Sequence, residues 1–233
     1  MLGASTAGFE YQGRRTAKVL TANSGAKIST EQSKFGGSSL KLTTFQSDWV
    51  TTPVNTDFSF GTGEFTVECW IYMTNVSNYR TIWCSGRQSS VGNIGIYIQN
   101  GNKCEVYNNG AGPAYLSQSF SFTMSTNTWY HFALTKSGST MRVFIDGTLQ
   151  GSGTTVTYDF QSTGASPAAI GTDTGDGFSF LGYIDDFCVR KGVATYTSNF
   201  TPRTLPIDCD NNTSLLAHFD GANNSTTFKD DNL

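Results

Sequence analysis

The chain has 233 residues, which suits one large β domain, and its 37% apolar and 13% aromatic content is enough for a packed core. Only 14% of residues are charged and the formal net charge is −3, which excludes the clustered lysines and arginines of a nucleic-acid surface. No run approaches the roughly 20 apolar residues of a membrane helix, so neither nucleic acid nor a membrane is expected as a partner.

The opening MLGASTAGFEYQGRR lacks the charged head and apolar stretch of a signal peptide, and residues 1–16 read as an N-terminal arm ahead of a domain over 17–233. Strands are predicted at SSLKLTT, EFTVECWIYM and RTIWCSG. IGIYIQNGNKCEVY then places two alternating runs around Asn100-Gly101, the pair that supplies the positive φ angles of a tight hairpin turn. The same signal recurs at Asp146-Gly147. With a turn at Ser137-Gly138, Trp129 to Leu149 reads as a three-strand meander. AAIG, GYIDDFCVR and TSLLAHFD complete the series, with room for a short helical turn near Val193 to Thr195. The five prolines fall outside the strongest strand runs. Many short strands and no sustained helical period predict an all-β fold of two antiparallel sheets packed face to face.

The five cysteines (Cys69, Cys84, Cys104, Cys188, Cys209) are odd in number, widely spread and without a C-x-x-C pair. Buried free thiols in a reducing cytosol are expected rather than a disulfide framework or a zinc site. In YIDDFCVR, strict alternation would put Tyr183, Asp185, Phe187 and Val189 on one face and Ile184, Asp186, Cys188 and Arg190 on the other. Asp185 shares the more apolar face and is expected to be buried. There it must either accept backbone N–H groups from a neighbouring loop or bind a cation. His131 and His218 lie in apolar strand contexts and read as structural. No nucleophile elbow, phosphate loop or dinucleotide fingerprint occurs.

EFTVECWIY, TWYHFALTKSGSTMRVFIDGTLQG and IGTDTGDGFSFLGYIDDFCVRKGVATYTSNFTP resemble the concanavalin A-like, laminin-G-like jelly rolls, as does KFGGSSLKLTTFQSDWVTTP upstream. RKGVATYTSNFTP and LLAHFDGANNSTTFKDD are similar to versions found in tailed-phage virion proteins. One departure is that the Leu-Leu-x-His-Phe-Asp-Gly segment, which commonly opens a module in such proteins, stands here at Leu215 to Gly221, where an in-chain closing strand is expected.

The resemblance implies a non-enzymatic structural or accessory protein on a tailed-phage virion (capsid decoration or tail-associated). It would be assembled in the host cytoplasm among other virion proteins and as a homo-oligomer. The alternative it implies is a glycan-binding adhesion module for host surface polysaccharide, with Tyr79, Asn108, Asn109 and Tyr115 as loop candidates. A rim calcium ion, as some relatives hold, would fall to Asp173, Asp176 and Asp185. Glucanases of this fold place two carboxylates on one strand face in a Glu-x-Asp-x-x-Glu pattern. That pattern is absent here, so no catalytic residues are assigned.

Overall fold

A computed structural model describes residues 17–86, 92–108, 115–161, 166–173 and 177–232; the arm expected over 1–16 lies outside this range. The strands are β1 (Leu20–Asn23), β2 (Lys27–Ser29), β3 (Ser39–Leu42), β4 (Trp49–Thr51), β5 (Phe65–Met73) and β6 (Tyr79–Cys84). They continue with β7 (Ile94–Gln99), β8 (Lys103–Asn108), β9 (Leu116–Ser119), β10 (Trp129–Ser137) and β11 (Thr140–Ile145). The last five are β12 (Thr148–Thr155), β13 (Ala169–Ile170), β14 (Gly182–Lys191), β15 (Thr213–Ala217) and β16 (Thr227–Phe228). A single 3₁₀ turn at Thr56–Phe58 is the one helical element among the described residues, and Val193 to Thr195 forms no helical turn. No helix there is long and apolar enough to cross a membrane.

The first sheet runs β16-β1-β4-β13-β6-β7-β8-β9. The second runs β12-β11-β10-β5-β14-β3-β2, with β15 also paired to β14. Every pairing between these strands is antiparallel. Alternation along β5 sends Phe65, Val67, Cys69, Ile71 and Met73 inward, where they join Ile82, Trp83, Ile94, Ile96 and Val106 from the first sheet. Trp83 spans the layers, its ring 5.6 Å from Phe58 and 6.5 Å from Phe187. Cys69, Cys84, Cys104 and Cys188 are buried thiols, and Cys209 is exposed.

Both hairpin signals form left-handed turns, at Asn100-Gly101 (φ 49° and 66°) and Asp146-Gly147 (φ 48° and 74°). The second turn also anchors a later segment. A Cβ on Gly147 would lie 1.9 Å from the Phe200 carbonyl oxygen, and Phe200 N donates to the Gly147 carbonyl at 2.9 Å. Asp146 closes the turn from inside by accepting His131 N at 2.8 Å. Asp146→Ala is therefore expected to lower stability by about 1–2 kcal/mol in urea denaturation, because it loses that bond and puts an alanine at positive φ.

Strict alternation fails in β14. Its register against β5 shifts between Asp185 and Cys188, and Asp186 takes φ 51°, so the strand carries a bulge there. The inward set is Ile184, Phe187 and Val189, and Asp185 faces outward with Tyr183. The expectation that Asp185 shares a face with Phe187 and Val189 is thus corrected: the extra residue swaps the faces beyond it. The bulge also lies where β14 changes partners on one edge. Gly182 to Ile184 pair with β3, and Phe187 to Arg190 pair with β15.

Candidate functional site

The outward face of the second sheet is polar and mostly covered. Glu68 on β5 is fully buried, where it meets the Arg190 guanidinium, receives the Tyr196 hydroxyl at 2.8 Å and lies 3.4 Å from His131 Nε2. Burial alone would raise its pKa. The His131, Arg190 and Tyr196 contacts more than offset that and hold the carboxyl below its ordinary range. Arg190 also donates to Asp210 Oδ2 at 2.9 Å and to the Asp208 carbonyl. The segment after β14 lies over this network like a strap. Thr195 N donates to Thr66 Oγ1, Thr135 Oγ1 donates to the Tyr196 carbonyl, and the Tyr196 and Phe200 rings stack at 3.6 Å.

Asp185 and Asp186 serve two different loops. Asp185 Oδ2 accepts Lys34 N at 2.7 Å and Phe35 N at 3.1 Å, which is the loop-backbone alternative of the two read from sequence. Its Oδ1 has no hydrogen-bond partner, and burial pushes its pKa up to about 7. Asp186 accepts Ile207 N at 3.1 and 3.0 Å and lies 2.7 Å from His218 Nδ1, which fixes the stretch leading into β15.

For calcium, Asp173 is buried just after β13 in the first sheet, Asp185 lies on β14 in the second, and Asp176 lies outside the described residues. No three His, Cys, Asp or Glu side chains converge on a metal-binding position among the described residues.

A different cluster forms on the outward face of the first sheet. In β6 to β9 the inward positions are mostly apolar, Arg80 and Gln118 excepted, and the alternate positions carry Tyr79, Tyr97, Lys103, Glu105, Tyr107 and Ser117. Glu105 is buried and acts as the hub. It accepts the Tyr107 hydroxyl at 2.7 Å and Ser117 Oγ at 3.2 Å, and pairs with Lys103. Burial would raise its pKa, but hydrogen bonds from Lys103, Tyr107 and Tyr79 hold it below the usual carboxylate range. Burial raises the phenols of Tyr79 and Tyr107, so both remain protonated donors at neutral pH. The rings cluster edge to face: Tyr97 is 6.1 Å from Tyr79 and 5.8 Å from Tyr107, and Phe178 lies 5.1 Å from Tyr79.

The sequence-predicted glycan residues divide over this geometry. Tyr79 joins the cluster at half-buried exposure. Tyr115 instead packs against the core, 4.5 Å from Tyr158 and 5.2 Å from Phe160, with its hydroxyl buried. Asn108 ends β8, and Asn109 lies outside the described residues. Sequence reasoning passed over Tyr97, Glu105 and Tyr107 because it searched loops; their signal was the polar or aromatic half of an alternating strand.

The family model described as the concanavalin A-like lectin/glucanases superfamily (Laminin_G_3) matches residues 44–196. No curated protein sequence matches the chain. Among solved structures, a Bacteroides ovatus protein described as a candidate carbohydrate binder aligns over 93% of this chain at 21% identity and a TM-score of 0.59. The chain spans 56% of that protein's length. Domain 4 of AbnA, an extracellular arabinanase from Geobacillus stearothermophilus solved with arabinotriose, aligns over 79% of this chain and 87% of its own, at 17% identity and a TM-score of 0.58. The binding domain of botulinum neurotoxin serotype G aligns over 81% of this chain and 45% of its own, at 14% identity and a TM-score of 0.57. At these identities the likeness is one of fold. With two antiparallel sheets, almost no helix and a family match over most of its length, the chain belongs to the concanavalin A-like lectin/glucanase superfamily as a Laminin_G_3 domain.

Proposed function

We propose that the protein is a non-enzymatic carbohydrate-binding module whose glycan contacts the Tyr79–Tyr97–Tyr107 face of the first sheet. The observation that carries this reading is the grouping of three tyrosine rings around a buried carboxylate already neutralised by Lys103. The half-buried Tyr79 and Tyr107 rings, backed by the buried Tyr97, cover the apolar C–H side of a sugar, and the Tyr79 and Tyr107 hydroxyls and Ser117 exchange hydrogen bonds with its hydroxyls. Retaining or inverting hydrolysis needs a pair of carboxyl groups, and β6 to β9 carry only Glu105. The fold shared with the Bacteroides protein and with the arabinanase domain supports a carbohydrate ligand over a purely structural role.

Titration with a panel of neutral oligosaccharides, arabinotriose included, tests the reading. At least one sugar is expected to bind, to bind equally well in excess chelator, and to weaken at least tenfold (about 1.4 kcal/mol) in a Tyr107→Ala variant that remains folded at the assay temperature. Binding that survives Tyr107→Ala, or that disappears with the chelator, would sink it.

A further inference from the structure

A second aromatic row crosses the opposite side of the sandwich, on the stretch of the second sheet beyond the Glu68 network. Trp129, Tyr72, Tyr183, Lys41 and Lys27 are direct cross-strand partners in sequence along β10, β5, β14, β3 and β2. All five point away from the core, because their neighbours Met73, Ile184, Leu40 and Ile28 point into it. The Tyr72 ring is 5.4 Å from Trp129 and 5.6 Å from Tyr183, so the three rings form one continuous strip. Trp129 and Tyr72 are half-buried, which leaves part of each ring open to a ligand, whereas Tyr183 is buried beside them.

The charge beside the strip runs against that of the whole protein. Lys41 Nζ lies 5.7 Å from the Tyr183 ring, and Lys34 Nζ sits 3.7 Å over Trp70, the next outward residue on β5. Three lysines (Lys27, Lys34, Lys41) therefore meet there in a chain of net charge −3. Glu31 is the exposed carboxylate among them. It bridges Lys41 and the Tyr183 hydroxyl at 2.6 and 2.8 Å and offsets one of the three charges. Asp185 lies beneath the 34–35 loop and is held towards its neutral form.

We propose that this strip is a second, separate binding face that takes an acidic polysaccharide of the polyuronate class. Sugar rings lie across Trp129 and Tyr72, with the buried Tyr183 supporting them from the side, and the uronate carboxylates meet Lys41 and Lys27. The face is independent of the Tyr107 cluster, which lies on the other sheet, so the two ligands do not compete.

Polygalacturonate oligomers and the same oligomers fully methyl-esterified separate charge from shape in one titration. The acidic oligomer is expected to bind at low salt, at least tenfold more tightly than the ester, and to weaken at least tenfold between 20 mM and 500 mM sodium chloride. The surface double variant Lys27→Gln/Lys41→Gln, which disturbs no core residue, is expected to reduce binding at least tenfold. Tyr72→Ala is expected to abolish it, and Tyr107→Ala to leave it unchanged. Absence of binding at millimolar oligomer, equal binding of the ester, or full binding by the lysine double variant overturns the proposal. Equal binding of a single-stranded oligodeoxynucleotide of matched charge also overturns it, by showing a patch for polyanions of any kind.

Discussion

Replacing Arg190 with methionine is expected to cost about 3–5 kcal/mol of folding stability, read as a fall in the urea midpoint with little change in slope. The reason lies in what stays behind. Glu68 is fully buried on the central strand β5, and Arg190 is the permanently charged group that balances it. Methionine fills most of the arginine stem but leaves a carboxylate with only Tyr196 and His131 for company. The strap would suffer as well, because Arg190 also ties down Asp208 and Asp210. The double variant Glu68→Leu/Arg190→Met separates the two causes. If the stranded charge dominates, the double variant recovers most of the loss; if strap docking dominates, it is as unstable as the single one. A single variant within about 1 kcal/mol of wild type would show that the pair does not hold the fold.

The second large effect is a dependence on pH centred on Asp185. A carboxyl whose folded pKa is raised contributes stability that is fully present below its ordinary value near 3.8. That contribution is lost as pH rises through the folded value of about 7. The size is on the order of 4 kcal/mol at most, taking about 1.4 kcal/mol for each tenfold change in the ionisation constant. His218 acts in the same direction. Its pKa is raised first by the bond to Asp186, so its contribution is present below 6.5 and fades as pH climbs through the higher folded value. This corner of the molecule therefore weakens as pH rises from about 4 to about 7, and His218 extends the loss above 6.5. Asp185→Asn keeps an acceptor for Lys34 N and Phe35 N and cannot ionise. Relative to wild type it is expected to gain up to about 2.5 kcal/mol on moving from pH 5 to pH 8. An identical difference at both pH values would show that the Asp185 carboxyl is not titrating there.

The turns and the two-layer architecture were legible because each rests on a local rule. Asn100-Gly101 and Asp146-Gly147 need positive φ, and the alternation of β5 fixes which residues reach the core. The bulge at Asp186 was not legible, since it answers to the change of partner strand from β3 to β15, a tertiary event with no local mark. Short strands such as β2 and β16 escaped for the same reason: two or three residues carry no period, and their neighbours define them. Of the candidate sites, Tyr79 was found as a loop aromatic, whereas Tyr107 and Glu105 were hidden inside a strand read for its apolar half.

The segments that resemble virion proteins have work to do inside the fold. In GVATYTSNF the tyrosine reaches Glu68, the asparagine receives Leu149 N at 2.8 Å and the last phenylalanine docks on the Asp146-Gly147 turn. In LLAHFDG the histidine meets Asp186, and the Phe219 carbonyl and Gly221 N both bond Ser38 Oγ. Such wording marks how this sandwich is buttressed, and any member that buttresses its sheet in this way has reason to share it.

β1 pairs with β16, and Lys18 N donates to Asp230 Oδ2 at 2.7 Å across 212 residues of sequence. For synthesis this means that the ribosome delivers the fold's first strand long before its partner exists. Until β16 and Asp230 emerge, β1 lacks its outer neighbour. Closure is thus a late, long-range event of high contact order within this domain, and folding is expected to be slow. In the interval the nascent chain presents an open β1 edge on its first sheet, which makes chaperone retention and crowding of sister chains the conditions that decide yield.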